Sequence, residues 1–410
     1  MTQTKVLLFV AGMSLSAVAF AGNPELQADA ANRASLSAAA GAGWDQNFWI
    51  SDGGNNSLHI GGTTQFRYNL TIRDEDFAGD QDDFTHGFNS PTNRIRFWGT
   101  IWDKALSYKI QGNFSSENPG GGGFTLEDAW GSYDFGNNFS LGWGQWKAPL
   151  NRADIVDNEF QMSADRSLAS AAFTAGYTQG VAGVYTSDMV KVTGGFHDGA
   201  SSQNSDFNSG AEADYAVLLR VDVQAMGNDW NRWNDYTSWK SAKDNGLLIG
   251  GAINWQSGGE TGGTSDVDAL NYTLDASFEG QGFGVWFAFY GAHIDAGGGG
   301  DIDNFAAELG ASFFFTEQFE GFARWDGFFL DDDAFGGDTD IHFATLGVNY
   351  YLSPESHAAK FTGQFGYAFN ETTNLFDPSS GLISDSTRYG FLGQGEDGEW
   401  TLTLQMQVMF

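Results

Sequence analysis

WTLTLQMQVMF, residues 400–410, alternates from one end to the other. Trp400, Leu402, Leu404, Met406, Val408 and Phe410 fall on one side, Thr401, Thr403, Gln405, Gln407 and Met409 on the other. A two-residue period is the signature of a β-strand with unlike faces. Strands of soluble sheets average about five to six residues. A tilted strand crossing a bilayer needs about nine to eleven. The segment therefore reads as a membrane strand, apolar toward lipid and polar toward a lumen, although a buried sandwich strand could alternate too.

The opposite end supports the same reading. Residues 1–21 hold one cation, Lys5, then an apolar run from Val6 to Val18 and a small-x-small closure at Ala19-Phe20-Ala21. This is the pattern of a secretory signal, with cleavage expected after Ala21. Every later apolar run is interrupted by Gly, Asp or Asn. A chain of this kind in a membrane must cross it as strands, because only helices and closed barrels satisfy their backbone hydrogen bonds in lipid.

Composition narrows the class further. The 410 residues carry 19 Lys+Arg against 52 Asp+Glu, a net charge of −33, which excludes nucleic acid as a partner. An aromatic content of 15% is too high for a disordered acidic polymer. With no cysteine, thiols say nothing about compartment. Six scattered histidines form no Ser/His/Asp arrangement, and no HExxH or phosphate-binding loop is present. Gly120 to Gly123 and Gly297 to Gly300 read as loop tips. No enzyme, cofactor or metal site is expected; acidic runs such as Asp74-Glu75-Asp76, Asp82-Asp83 and Asp331-Asp332-Asp333 could hold Ca²⁺ but lack a full ligand order.

Alternation recurs along the chain. Strands are expected near 57–73, 93–103, 105–115, 124–136, 138–147, 177–187, 189–198, 213–225, 246–257, 268–279, 282–294, 303–316, 318–330, 340–352, 359–370 and 399–410. That makes about sixteen, an even number as bacterial barrels have. Odd-numbered connections run long and acidic, such as 74–92, 148–176 and 371–398, whereas even-numbered ones are mostly tight turns. Long loops at one end and short turns at the other belong to outer-membrane barrels. The exception is the Trp-rich stretch 226–245 (GNDWNRWNDYTSWK within it), for which the sequence offers no account. The expected organisation is a signal at 1–21, a periplasmic segment at 22–56 that is partly helical or disordered, and an all-β transmembrane antiparallel barrel at 57–410.

Parity puts most cations on the polar face: Arg67, Arg73, Arg94, Arg96, Lys109, Lys191, Arg220, Arg324 and Lys360, with Lys147 closing its strand. Charged rings in a pore select ions of opposite sign; paired charges that satisfy each other are the blander alternative. Loop 148–176 carries Arg152, Asp154, Asp157, Glu159, Asp165 and Arg166. Folded inward, its acids would face Arg67, Arg94, Arg96 and Lys109 across a constriction and set up a transverse field. The fourteen tryptophans are assigned to girdles at the lipid boundaries rather than to a sugar track.

Several segments resemble the phosphate-selective porin O and P family of Gram-negative outer membranes: IGGTTQFRYN (60–69), NRIRFWGTIWDKALSYKIQGNF (93–114), FTLEDAWGSYDF (124–135), LGWGQWKAPLNRADIV (141–156), SADRSLASAAFTAGYTQGV (163–181) and LQMQVMF (404–410). Gly144 to Pro149 is the most distinctive piece. The resemblance implies a sixteen-stranded homotrimeric channel, narrowed by loop 148–176, that passes small ions and solutes. Family members selecting phosphate use an arginine ladder and a lysine ring, and eight lysines including Lys5 are few for that. The expectation is an outer-membrane diffusion porin, with phosphate or other anions among its candidate solutes. Outer-membrane lipid and, through the strand ending at Phe410, the barrel-assembly machinery are its expected partners. A non-conducting structural or adhesive barrel is the alternative.

Overall fold

The computed structural model describes residues 41–44, 47–73, 84–102, 104–115, 123–207, 209, 212–258, 267–295, 300–376, 382–383 and 386–410. The expected signal, residues 22–40 of the expected periplasmic segment, and the acidic runs 74–76 and 82–83 lie outside them, as do Gly120 to Gly122 and Gly297 to Gly299.

Two short strands, β1 (Gly41–Trp44) and β2 (Phe48–Ser51), form an antiparallel hairpin. Sixteen longer strands follow, β3 (Ser57–Ile72), β4 (Thr85–Ile101), β5 (Leu106–Asn113), β6 (Thr125–Asp134), β7 (Phe139–Lys147), β8 (Tyr177–Thr186), β9 (Val190–His197), β10 (Tyr215–Met226), β11 (Gly246–Ser257), β12 (Asp268–Glu279), β13 (Phe283–Asp295), β14 (Asp301–Phe314), β15 (Phe319–Phe329), β16 (Asp340–Tyr351), β17 (Ala359–Ala368) and β18 (Trp400–Met409). Each pairs antiparallel with its neighbour, and β18 returns to β3 from Trp400↔Ile72 to Met409↔Thr63. The sheet thus closes into a sixteen-stranded antiparallel barrel. Closure removes the exposed edge that hydrocarbon could not hydrogen-bond.

The alternation that identified the last strand holds in space. Leu404, Met406 and Val408 are exposed outward while Thr401, Thr403, Gln405 and Gln407 are buried inward. Phe66, Leu219, Ile253, Leu274, Leu309, Leu346 and Phe365 continue the outer apolar surface around the barrel. No helix among the described residues is long and apolar enough to cross a membrane. The strands do the crossing, with the outer band in contact with lipid.

One expectation changes. The second barrel strand begins at Thr85, not near 93. Pro91 hides the strand from a periodicity count because proline donates nothing to a ladder. The ladder accommodates it at a bulge, where Gln65 pairs with Thr92 and Arg67 with Asn89, and Ser90 Oγ donates to the Gln65 carbonyl at 2.9 Å. Of the segment before the barrel, expected to be partly helical or disordered, residues 22–40 lie outside the described residues, and the part nearest the barrel contains the β1–β2 hairpin. β2 pairs with β3 from Ser51↔Ser57 to Phe48↔Ile60, just beyond the last β18 partner.

Candidate functional site

Among the described residues, three insertions fill most of the interior. β7 and β8 are short, and Ala148 N donates to the Gly176 carbonyl at 3.0 Å to close the neck of loop 148–176. Gly144, within β7 at φ +116°, admits only glycine, since a Cβ there would stand 2.3 Å from the Ala129 carbonyl oxygen. Within the loop, Asn151 caps α1 (Arg152–Ile155) and Ser167 caps α2 (Leu168–Ala172). Ser170 Oγ donates to Asn151 Oδ1 at 3.0 Å, tying the two turns together. Leu168, Ala169 and Phe173 pack against inward-facing Tyr290, Phe328 and Phe343 and against Leu375, Phe376 and Phe391 of the last long loop. Apolar side chains therefore face inward over the loop-side part of β13–β16, where the loops cover them.

The third insertion is the Trp-rich stretch. It folds into the barrel from the short-turn end and meets loop 148–176. Arg152 donates to the Asp235 carbonyl at 2.6 Å, its guanidinium lies 4.3 Å from the Tyr236 ring centroid, and it pairs with Glu279 of β12 at 2.6 Å. Trp239 rests on Phe314, Tyr351 and His357, and His357 Nε2 lies 2.8 Å from Asp235 Oδ2. Burial works against the Asp235 carboxylate, yet the neighbouring imidazole and hydrogen bonds from Thr237 hold its pKa below the ordinary value. The Trp-rich composition was the only sequence signal for this seat.

Loop acids and wall cations meet directly. Arg94 makes a two-point contact with Glu127 at 2.7 and 3.1 Å and also reaches Glu159 at 3.3 Å. Arg96 is bonded to Glu159 as well. Lys109 holds Asp128 at 2.9 Å, with Asp157 at 4.0 Å. Arg67 pairs with Asp165 at 3.0 Å, and Asp165 also receives Arg388 from the last loop at 2.5 Å, a partner the sequence did not single out. The four cations expected to oppose the loop do face it, but in contact rather than across a gap. Other expected site residues are closed into local pairs. Arg220 lies between Asp222 and Asp275, Arg324 holds Asp326 at 2.9 Å, and Arg166 binds Asp154 inside the loop. Lys360 donates to the Gln161 carbonyl at 2.9 Å and Arg73 to that of Gly393 at 3.0 Å. Arg67, Arg220 and Lys360 point inward as parity predicts but are fully covered.

What stays partly open is one side of the lumen. Arg96, Trp98 and Thr100 of β4, Ser107 and Lys109 of β5, Trp130 and Ser132 of β6 and Lys191 of β9 are half-buried inward side chains, whereas inward positions of β10–β18 are nearly all buried. Ile155 and Asp157 of the loop face this strip. Six of the fourteen tryptophans, Trp98, Trp130, Trp146, Trp233, Trp239 and Trp286, lie on the inner side, so the girdle assignment fails for them. Among the described residues no three His, Cys, Asp or Glu side chains converge on a common point. Asp331 accepts from the Asp303 and Asp333 amides at 2.9 Å, shaping its own loop.

No family model matches the chain, and no curated protein matches it. Solved structures do. An anion-selective porin from Comamonas acidovorans is 14% identical at TM-score 0.61, the match covering 87% of this chain and 100% of that one. OmpF of Salmonella typhi, in complex with daunomycin, is 13% identical at TM-score 0.59 over 88% and 100%. The trimer form of OmpT, an outer membrane protein of Vibrio cholerae, is 14% identical at TM-score 0.57 over 87% and 100%. At such identities the likeness is one of fold. The fold is that of an outer-membrane porin, and a closed barrel with this apolar outer belt belongs in the Gram-negative outer membrane. The resemblance to the phosphate-selective family narrows no further than that.

Proposed function

We propose that the protein is a passive diffusion channel for small hydrophilic solutes and ions, with no catalytic activity. The single observation carrying this reading is the strip of half-buried polar side chains along β4–β9 beside loop 148–176, on an otherwise filled interior. A barrel kept only for structure would have no reason to leave one wall polar and uncovered. Current steps from purified protein in a planar bilayer in KCl test it; a barrel that inserts but never conducts defeats it.

Phosphate selectivity gains little support. The arginine ladder that a phosphate channel needs is here committed to Glu127, Glu159 and Asp165. With Arg67, Arg94 and Arg96 matched by acids and the whole chain at −33, the reading favours a modest preference for cations. Asymmetric KCl would then give a reversal potential of cation sign. A homotrimer fits the reading, since the OmpT structure of the same fold is described as a trimer.

The second reading, a non-conducting barrel, is favoured by the dense filling of the β10–β18 side. The same bilayer recording separates the two.

A further inference from the structure

The open strip leads into a bay that simple diffusion does not require. Inward positions of β6–β10 and the underside of loop 148–176 line a half-open cavity of about 250 Å³. Its apolar lining includes Trp130, Trp146, Ile155, Ala182 and Val184. Its charged lining is Lys147, Lys191 and Arg220 against the lone acid Asp222, an excess of cations in a chain of net charge −33.

Arg220 is already closed between Asp222 and Asp275, at 2.6 and 2.8 Å. Lys191 stands opposite Asp222 in the ladder yet makes no ion pair among the described residues. On the same wall, Lys147 Nζ and Trp146 Nε1 are buried donors with no hydrogen-bond acceptor among the described residues, Lys147 Nζ lying 5.2 Å from the Tyr177 ring centroid. Unmet buried donors are costly and rare in native structures. The bay thus combines flat apolar rings, an uncommitted ammonium and donors awaiting an acceptor. A free inorganic anion would satisfy the charge but leave the indoles wet. A cation would meet like charge, and a neutral ring would leave the donors unused.

We infer that this bay binds a small organic monoanion with a flat apolar face, of the aromatic carboxylate class. The carboxylate would sit at Lys191 and the ring against Trp130 and Ile155. Pockets for drug-sized ligands run about 300–1,000 Å³, so this one suits a single ring. The inference rests on the channel reading only for how the solute arrives.

Calorimetric titration of the purified barrel in detergent at neutral pH and low salt tests it, with benzoate, acetate and benzyl alcohol as probes. Benzoate should bind saturably, and acetate (no ring) and benzyl alcohol (no charge) each roughly tenfold more weakly, the scale of one lost charge-assisted or stacking contact. Lys191→Gln and Ile155→Ser should each weaken benzoate by about tenfold. The second substitution lies on the loop, so a folding defect in the first leaves the test intact. Absence of benzoate binding, equal binding of acetate or benzyl alcohol, or unchanged affinity in either folded variant overturns the inference. KCl conductance of the same preparation keeps the two readings apart. A barrel that conducts but ignores benzoate refutes the bay, and one that binds benzoate but passes no current refutes the channel.

Discussion

Asp165 shows what single side chains do in this lumen. It lies between Arg67 of the wall and Arg388 of the last loop, with Arg67 completely covered. Removing one member of a buried pair leaves a stranded charge and costs about 3–5 kcal/mol. Asp165→Ala should therefore loosen loop 148–176, read as faster proteolysis within it, while the barrel still runs as folded in a heat-modifiability gel. Glu159 lies against both Arg94 and Arg96, so Glu159→Gln should release positive charge toward the open strip. Its expected outcome is a reversal potential shifted toward anions; an unshifted potential would mean the strip is not the conduction path. Asp235 supplies a pH dependence. Its depressed pKa stabilises the seat of the Trp-rich insertion at pH above the unfolded carboxylate value, and that contribution is lost as pH falls through the folded one. Protease sensitivity of residues 226–245 should rise below about pH 4, and Asp235→Asn should abolish that rise.

At the scale of elements, three insertions fill the barrel from its two ends. Loop 148–176 and the stretch 371–398 share an apolar cluster with β13–β16, and the Trp-rich insertion approaches from the opposite end. Filling is one-sided, because β4–β9 keep half-buried polar side chains while β10–β18 do not. Replacing residues 151–174 by a short Gly-Ser turn should uncover the packed wall and raise single-channel conductance several-fold. Unchanged conductance would show that the loop does not bound the passage. The strands themselves were legible because each has one lipid face, which enforces the two-residue period. β4 was misjudged where Pro91 and its bulge break that period. The path of the Trp-rich insertion was not legible, since its partners Arg152, Phe314, Tyr351 and His357 are distant in sequence.

For the whole molecule, the acidic excess is the dominant long-range property. Exposed charges are screened beyond about 10 Å at 0.1 M salt and about 3 Å at 1 M. A cation preference arising from the net charge of −33 should therefore be larger at 0.1 M than at 1 M KCl. A preference independent of salt would place its origin in the paired lumenal charges instead.

Linear patterning was enough to read a closed membrane barrel of about sixteen strands, the lipid-facing side of each, and an inward direction for most of its cations. Those are local properties, because side-chain period and strand length are written residue by residue. Packing in three dimensions settled which inward cations stay wet and which are matched by acids, and put six tryptophans in the interior rather than at the lipid boundary. Such outcomes depend on loops folding back over walls hundreds of residues away, as when Asp165 meets Arg388. Burial and ion pairing are set by that packing, and a linear pattern carries no record of it.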